Sequence, residues 1–140
     1  MTMKREIEFR GRTAKGEWVY GYHAKFRNYK NEVYSAIIPK DEETGESYME
    51  DLLPVIPETV GQYVGITDKN GKKVYVGDIV KTEQGRIGNI CFNDGAFCFN
   101  VENKYIYALC DSEFGYVYKE NADELEVIGT VFDKESDNGD

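Results

Sequence analysis

The 140-residue chain is expected to be mainly β: a strongly bent antiparallel sheet or a small barrel, with an N-terminal β subdomain and at most one short helix. Three observations predict this. Aromatic residues make up 14% of the chain, including 11 Tyr, beside 14 Gly, a mixture that favours strands and tight turns over helices. Short stretches alternate apolar and polar residues with a period of two. Turn dipeptides such as Asn-Gly and Asp-Gly separate them. The length suits a single domain, which at this size buries about 68% of its unfolded surface. Within it, residues 1–56 are expected to form the N-terminal β subdomain and residues 57–132 the bent or barrel-like core. Residues 133–140 read as a disordered tail.

The elements follow in order. Residues 4–10 alternate charged and apolar side chains, with Ile7 and Phe9 on one face, which makes a half-buried strand. Gly11 to Gly16 contains a turn. Trp18 to Tyr22 is the returning strand, with Trp18, Tyr20 and Tyr22 on one side. Val33 to Ile38 is a third strand, stopped by Pro39. Residues 40–51 are polar and acidic without a period, hence an exposed loop. Leu52 to Ile56 is a short apolar run interrupted by Pro54 and closed by Pro57, and proline confines it to an edge or an extended connector. Thr59 to Ile66 reads as a separate strand. Asp68-Lys69-Asn70-Gly71 is a turn, because Asn-Gly accepts positive φ. Lys73 to Val76 and Asp78 to Lys81 follow, with Gly77 between them as a bend or bulge.

The hairpin from Gly88 to Val101 is the best determined. With Asp94 and Gly95 at its tip, Phe92 faces Phe97, Cys91 faces Cys98 and Ile90 faces Phe99. Gly88, Ile90, Phe92, Phe97, Phe99 and Val101 then share one face, while Asn89, Cys91, Asn93, Ala96, Cys98 and Asn100 share the other. A one-residue slip would mix the two sets, so the pattern selects the register. Phe92, Phe97 and Phe99 are accordingly expected in the core. Tyr105 to Cys110 and Leu125 to Phe132 complete the strands. Asn121 with Glu124 resembles a capping box, which places one helical turn before the last strand.

The net charge of −9 opposes binding to a polyanion by the whole protein. The charge is uneven. Residues 1–30 hold eight Lys/Arg and three acids, a balance of +5; the rest hold nine and 23, a balance of −14. Such a split suits contact between opposite parts of one chain or of two copies. The first twelve residues are charged throughout and no apolar run reaches about 18 residues. The expectation is a cytoplasmic protein without membrane contact, whose three cysteines are reduced.

Residues 57–71 (Pro-Glu-Thr-Val-Gly-Gln-Tyr-Val-Gly-Ile-Thr-Asp-Lys-Asn-Gly), continuing through Val74-Tyr75-Val76-Gly77-Asp78-Ile79-Val80, resemble the signature of the YopX family of phage and prophage proteins. Arg5 to Gly11 and Trp18 to Gly21 resemble its opening, and Asn93 to Phe97 and Ile128 to Val131 its later strands. The resemblance spans about residues 4–132. It implies a mainly β fold in a phage or prophage setting and supplies no catalytic residues. Gly77 to Val80 with Gly85 to Phe92 is also similar, over a short stretch, to the opening of SH3-like barrels, a fold-level likeness that does not transfer function.

No constellation in the chain carries chemistry, and no enzymatic activity, cofactor or metal is expected. The single His23 has no motif supplying an oriented partner. Cys91, Cys98 and Cys110 lack the paired spacing of a zinc site. The acids of 42–51 do not follow a calcium-loop pattern, and the glycines are too widely spaced to cradle a phosphate. The tyrosine excess suits an interface or, equally, a set of half-buried tyrosines at a barrel rim. The expected function is an accessory protein-interaction module that forms a homo-oligomer, with Arg10, Trp18, Tyr20 and Tyr22 as its interaction surface. The alternative is a nucleic-acid-binding SH3-like barrel in phage gene regulation, with Lys72, Lys73, Tyr75, Lys81 and Arg86 as its edge, combining charge and stacking.

Overall fold

A computed structural model of the chain describes residues 6–41, 43–82, 85–93, 96–101, 105–108 and 125–133. The expected helical turn at 121–124, Cys110, Tyr116, Tyr118, the hairpin tip at 94–95 and the tail beyond 133 lie outside them. The protein is mainly β, a strongly bent antiparallel sheet with an N-terminal β subdomain. A short 3-10 turn lies at Met49–Asp51. The chain divides into two compact units, Met1–Tyr63 and Val64–Asp140.

In the first unit, β1 (Phe9–Arg12), β2 (Trp18–Arg27), β3 (Val33–Ile38) and the first part of β4 (Leu53–Thr67) pair in sequence. β4 also pairs with β1, so the four strands close on themselves and neither β1 nor β3 is left as an edge. β1 faces β2 with Arg10 opposite Tyr20 and Arg12 opposite Trp18. β2 runs on past the expected Tyr22 and pairs with all of β3, from Tyr22–Ile38 to Arg27–Val33. Ala36, Ile37, Ile38 and Val55 are buried.

The sequence separates residues 52–56 from 59–66, but the structure makes them one 15-residue strand. Leu53, Pro54 and Val55 pair with β3, whereas pairing to β1 starts at Ile56. Pro54 thus has a partner strand on one side, as its missing N–H requires. The ladder to β1 then breaks, jumping from Arg12–Ile56 to Arg10–Gly61. Thr59 bridges the gap: its hydroxyl accepts the Arg12 N–H at 2.8 Å and donates to the Ile56 carbonyl at 2.6 Å. A side chain replaces the backbone partner that the irregularity removes.

In the second unit, the end of β4 is followed by the Asp68–Lys72 turn and by β5 (Lys73–Tyr75), its neighbour in the sheet. A second sheet takes the order β10-β6-β7-β8-β9, formed by β6 (Asp78–Lys81), β7 (Ile87–Asn93), β8 (Ala96–Val101), β9 (Tyr105–Ala108) and β10 (Glu126–Thr130). Val64, Val74, Val80, Ile90, Phe99 and Leu125 form its core, with Ile66, Val76, Phe97 and Val127 packed against them.

The β7–β8 hairpin has the expected register, including Cys91 opposite Cys98 and Ile90 opposite Phe99. Its core face needs one correction. Ile90 and Phe99 are buried and Phe97 is partly so, but Phe92 is 59% exposed. Alternation sets the face of a strand, not how far along it the core extends. Phe92 lies beyond the core, toward the hairpin tip, and meets the Phe97 ring edge-on at 5.2 Å.

Candidate functional site

Directly opposed residues of paired strands share a face, so β1 and β2 place Arg10, Arg12, Trp18 and Tyr20 together. The guanidinium carbons of Arg10 and Arg12 stand 4.3 and 4.7 Å from the Trp18 ring centre. Both lie within cation–π range, worth about 0.5–2 kcal/mol each depending on desolvation. Arg10 is buried at 4% exposure, Trp18 is half-buried, and Tyr20 is 46% exposed. Arg12 was missed by sequence reasoning because it follows Gly11 at the start of an expected turn. Its two-residue spacing from Arg10 was the available signal.

Tyr22 continues the face in a different setting. Its hydroxyl donates to the Gly45 carbonyl at 2.9 Å, and the Lys40 ammonium lies 5.7 Å from its ring. Lys40 also pairs with Glu6 and Glu8 at 3.8 and 3.7 Å. The acidic loop is therefore tethered beside Tyr22 through Gly45. Asp41, Glu43, Glu46, Glu50 and Asp51 on that loop are exposed, as are Tyr48 and Met49.

On the opposite face of β2, His23 stacks obliquely on Phe9, ring centres 5.7 Å apart. Burial, with a smaller effect from the Lys25 charge, holds its imidazole below the ordinary range. His23 is thus neutral at pH 7 and packs as a small aromatic ring.

The other candidate edge is less coherent. Lys72, Lys81 and Arg86 are exposed and Lys73 is half-buried. Tyr75, expected to stack on bases, is 3% exposed. It flanks Val74 of the core, where its ring offers no open face. Lysines on its N-terminal side disguised a core position as a surface one.

The signature segment of the chain is occupied in holding strands together. Asp68 Oδ1 accepts the N–H groups of Asn70 and Lys72, both at 2.9 Å, and Oδ2 accepts the Val127 N–H at 2.9 Å. Gly71, at φ +80°, completes this turn. Asp78, fully buried, accepts the Tyr75 N–H at 2.8 Å, and Gly77 at φ +100° makes the bend between them. With Thr59 at the β4 irregularity, these polar groups are assigned to backbone donors. Among the described residues no group of three or more His, Cys, Asp or Glu is placed to hold a metal ion. No helix among them is long and apolar enough to cross a membrane.

Burial alone would raise the Asp68 carboxyl, but the N–H groups of Val127, Lys72 and Asn70 and the Lys72 charge outweigh it and hold its pKa below the usual carboxylate range. A depressed folded-state pKa stabilises above the unfolded value and loses that contribution as pH falls through the folded one. Asp68→Asn turns an amide N–H toward a backbone donor and is expected to cost roughly 2–3 kcal/mol near pH 7. The gap to wild type should narrow below about pH 4, where the unfolded carboxylate protonates. Urea melts of both proteins at several pH values check this; a gap independent of pH would mean that the charge is immaterial.

The strand framework and the signature turns define a class: a small, mainly β protein. A family model described as YopX protein matches residues 8–136, and the chain belongs to the YopX family. Among solved structures, it is similar to protein EF1440 from Enterococcus faecalis, at 19% identity and a TM-score of 0.51, covering 91% of this chain and 94% of that one. That likeness supports the fold. No curated protein matches the chain.

Proposed function

We propose that the protein is a phage-encoded interaction module that self-associates, the β1–β2 face of one copy receiving the acidic 41–51 loop of another. The observation that carries this reading is the Arg10–Trp18–Arg12 stack beside the exposed Tyr20. Arg12, half-buried and held on the indole beside the buried Arg10, is pre-ordered, so binding there loses little side-chain entropy. Tyr, Trp and Arg are the residues that dominate interface energies. The acidic loop presents Asp41, Glu43, Glu46, Glu50 and Asp51 around the exposed Tyr48 and Met49, giving charge complementarity with an apolar centre. A copy offering its loop while receiving another's makes a heterologous contact, which closes into a ring where the rotation permits.

Sedimentation at tens of micromolar tests the reading. An oligomer is expected, weakened by salt. Tyr20→Glu should raise its dissociation constant at least about tenfold, equivalent to about 1.4 kcal/mol. Lys81→Glu, the same sign of charge change on an exposed residue of the second unit, should leave it near wild type. A 16.0 kDa species at every concentration, or equal effects of the two substitutions, would overturn it.

The nucleic-acid reading draws on Lys72, Lys73, Lys81 and Arg86, but with Tyr75 buried it lacks the stacking component. Titration of labelled single- and double-stranded DNA and RNA at low salt separates the two readings. No binding at micromolar protein is expected.

A further inference from the structure

The cysteines of the β7–β8 hairpin form a second, independent site. Cys91 lies directly opposite Cys98 in the ladder, and both stand as thiols. Cys91 is partly exposed and Cys98 is buried. In a hairpin with a two-residue tip, the pair flanking the tip, Asn93 and Ala96, exchanges hydrogen bonds. The next pair does not, and Cys91–Cys98 again does. Residues so placed have Cα atoms about 5.5 Å apart, inside the disulfide window, but Cβ atoms farther apart than an unstrained bridge prefers. A bridge there forms within the existing register and is strained, which makes it easily reduced.

We propose that Cys91 and Cys98 are a reversible modification site, closing to a cross-strand disulfide by exchange with a low-molecular-weight disulfide such as oxidised glutathione. In the first step the Cys91 thiolate attacks the glutathione disulfide. A Cys91–glutathione bond forms and one glutathione thiolate leaves. In the second, the Cys98 thiolate attacks Cys91 Sγ. The Cys91–Cys98 bond forms and the second glutathione thiolate leaves. The two cysteine protons pass to solvent, the cysteines are oxidised and one glutathione disulfide is reduced. Their exposures suit these roles: the outer thiol meets the small molecule and the inner one resolves the adduct. Burial, then the adjacent Cys98, raises the Cys91 pKa, so the first step should accelerate as pH rises above neutral.

Trypsin makes the test direct. No Lys or Arg lies between Arg86 and Lys104, and Cys110 falls in the next peptide. The full-length protein is equilibrated with reduced and oxidised glutathione in a series of ratios, quenched by alkylation and digested. As the buffer becomes more oxidising, the peptide 87–104 should lose both alkyl groups together and appear two hydrogens lighter, with glutathione adducts only transient. Dithiothreitol should restore both alkylation sites. Cys91→Ser should abolish the lighter peptide, and Cys98→Ser should trap the glutathione adduct on Cys91. A lasting adduct on wild-type Cys91, a bridge to Cys110, or two alkylatable thiols in every buffer would each overturn the proposal.

Discussion

Phe99→Ala is expected to cost roughly 3–5 kcal/mol, the range for truncating a fully buried phenylalanine. Phe99 is 2% exposed and sits among Val64, Val74, Val80, Ile90 and Leu125. Its aromatic edge also lies against Gly88, where an added Cβ would come within 2.7 Å of Cε1. The ring fills space that the neighbouring strand leaves by having no side chain, so truncation opens a void on two sides. Phe97→Ala, at a partly buried position, should cost roughly half as much. Thermal or urea melts monitored by near-ultraviolet circular dichroism give the comparison. Equal costs would mean that the core reaches as deep at Phe97 as at Phe99, and less than about 1 kcal/mol for Phe99 would mean that the face assignment of β8 is wrong.

Gly21→Ala is the corresponding probe of the first unit and should cost roughly 3 kcal/mol or more, at the upper end of overpacking effects. A Cβ at Gly21 would meet the Ile38 carbonyl oxygen at 2.1 Å and its carbon at 2.8 Å. Both are backbone atoms of a strand paired to β2, so no rotamer change relieves the overlap. β2 and β3 must separate, or the Tyr22–Ile38 end of the ladder must open. Gly129→Ala is the control. Its Cβ would lie 3.7 Å from Asp133 Oδ2, an ordinary contact, and the change should stay within about 1 kcal/mol of wild type. Similar melts for the two variants would show that the Gly21 approach is not a real constraint.

These residues mark where the sequence was readable. The β7–β8 register could be found because both strands alternate and one register alone sorts apolar from polar side chains. The depth of the core could not, which is why Phe92 was misplaced. The common face of Trp18 and Tyr20 was legible from alternation, whereas their meeting with Arg10 follows from the β1–β2 register. The continuity of β4 was hidden because Pro54 and Pro57 read as breaks. It is accompanied by a long-range bond from Arg12 to Thr59, 47 positions away, which no local pattern encodes. Tyr75 was lost for a similar reason: its burial comes from the fold around it, while adjacent lysines advertise solvent. The role of Asp68 beyond its turn needed the position of Val127, 59 residues later.

The Asp68–Val127 bond has a consequence for synthesis. Leu125 is fully buried in the core of the second unit, its carbonyl accepts the Lys69 N–H, and β10 pairs with β6. While the ribosome is still making residues 109–124, the strands around Val74, Val80 and Phe99 have already been translated but lack that closing segment. Apolar surface then waits on residues not yet synthesised. The second unit is therefore expected to lock only after β10 emerges, with nascent chains stalled upstream remaining sensitive to protease. In a cell making many copies at once, that interval is when the unit is most open to association with the wrong neighbour.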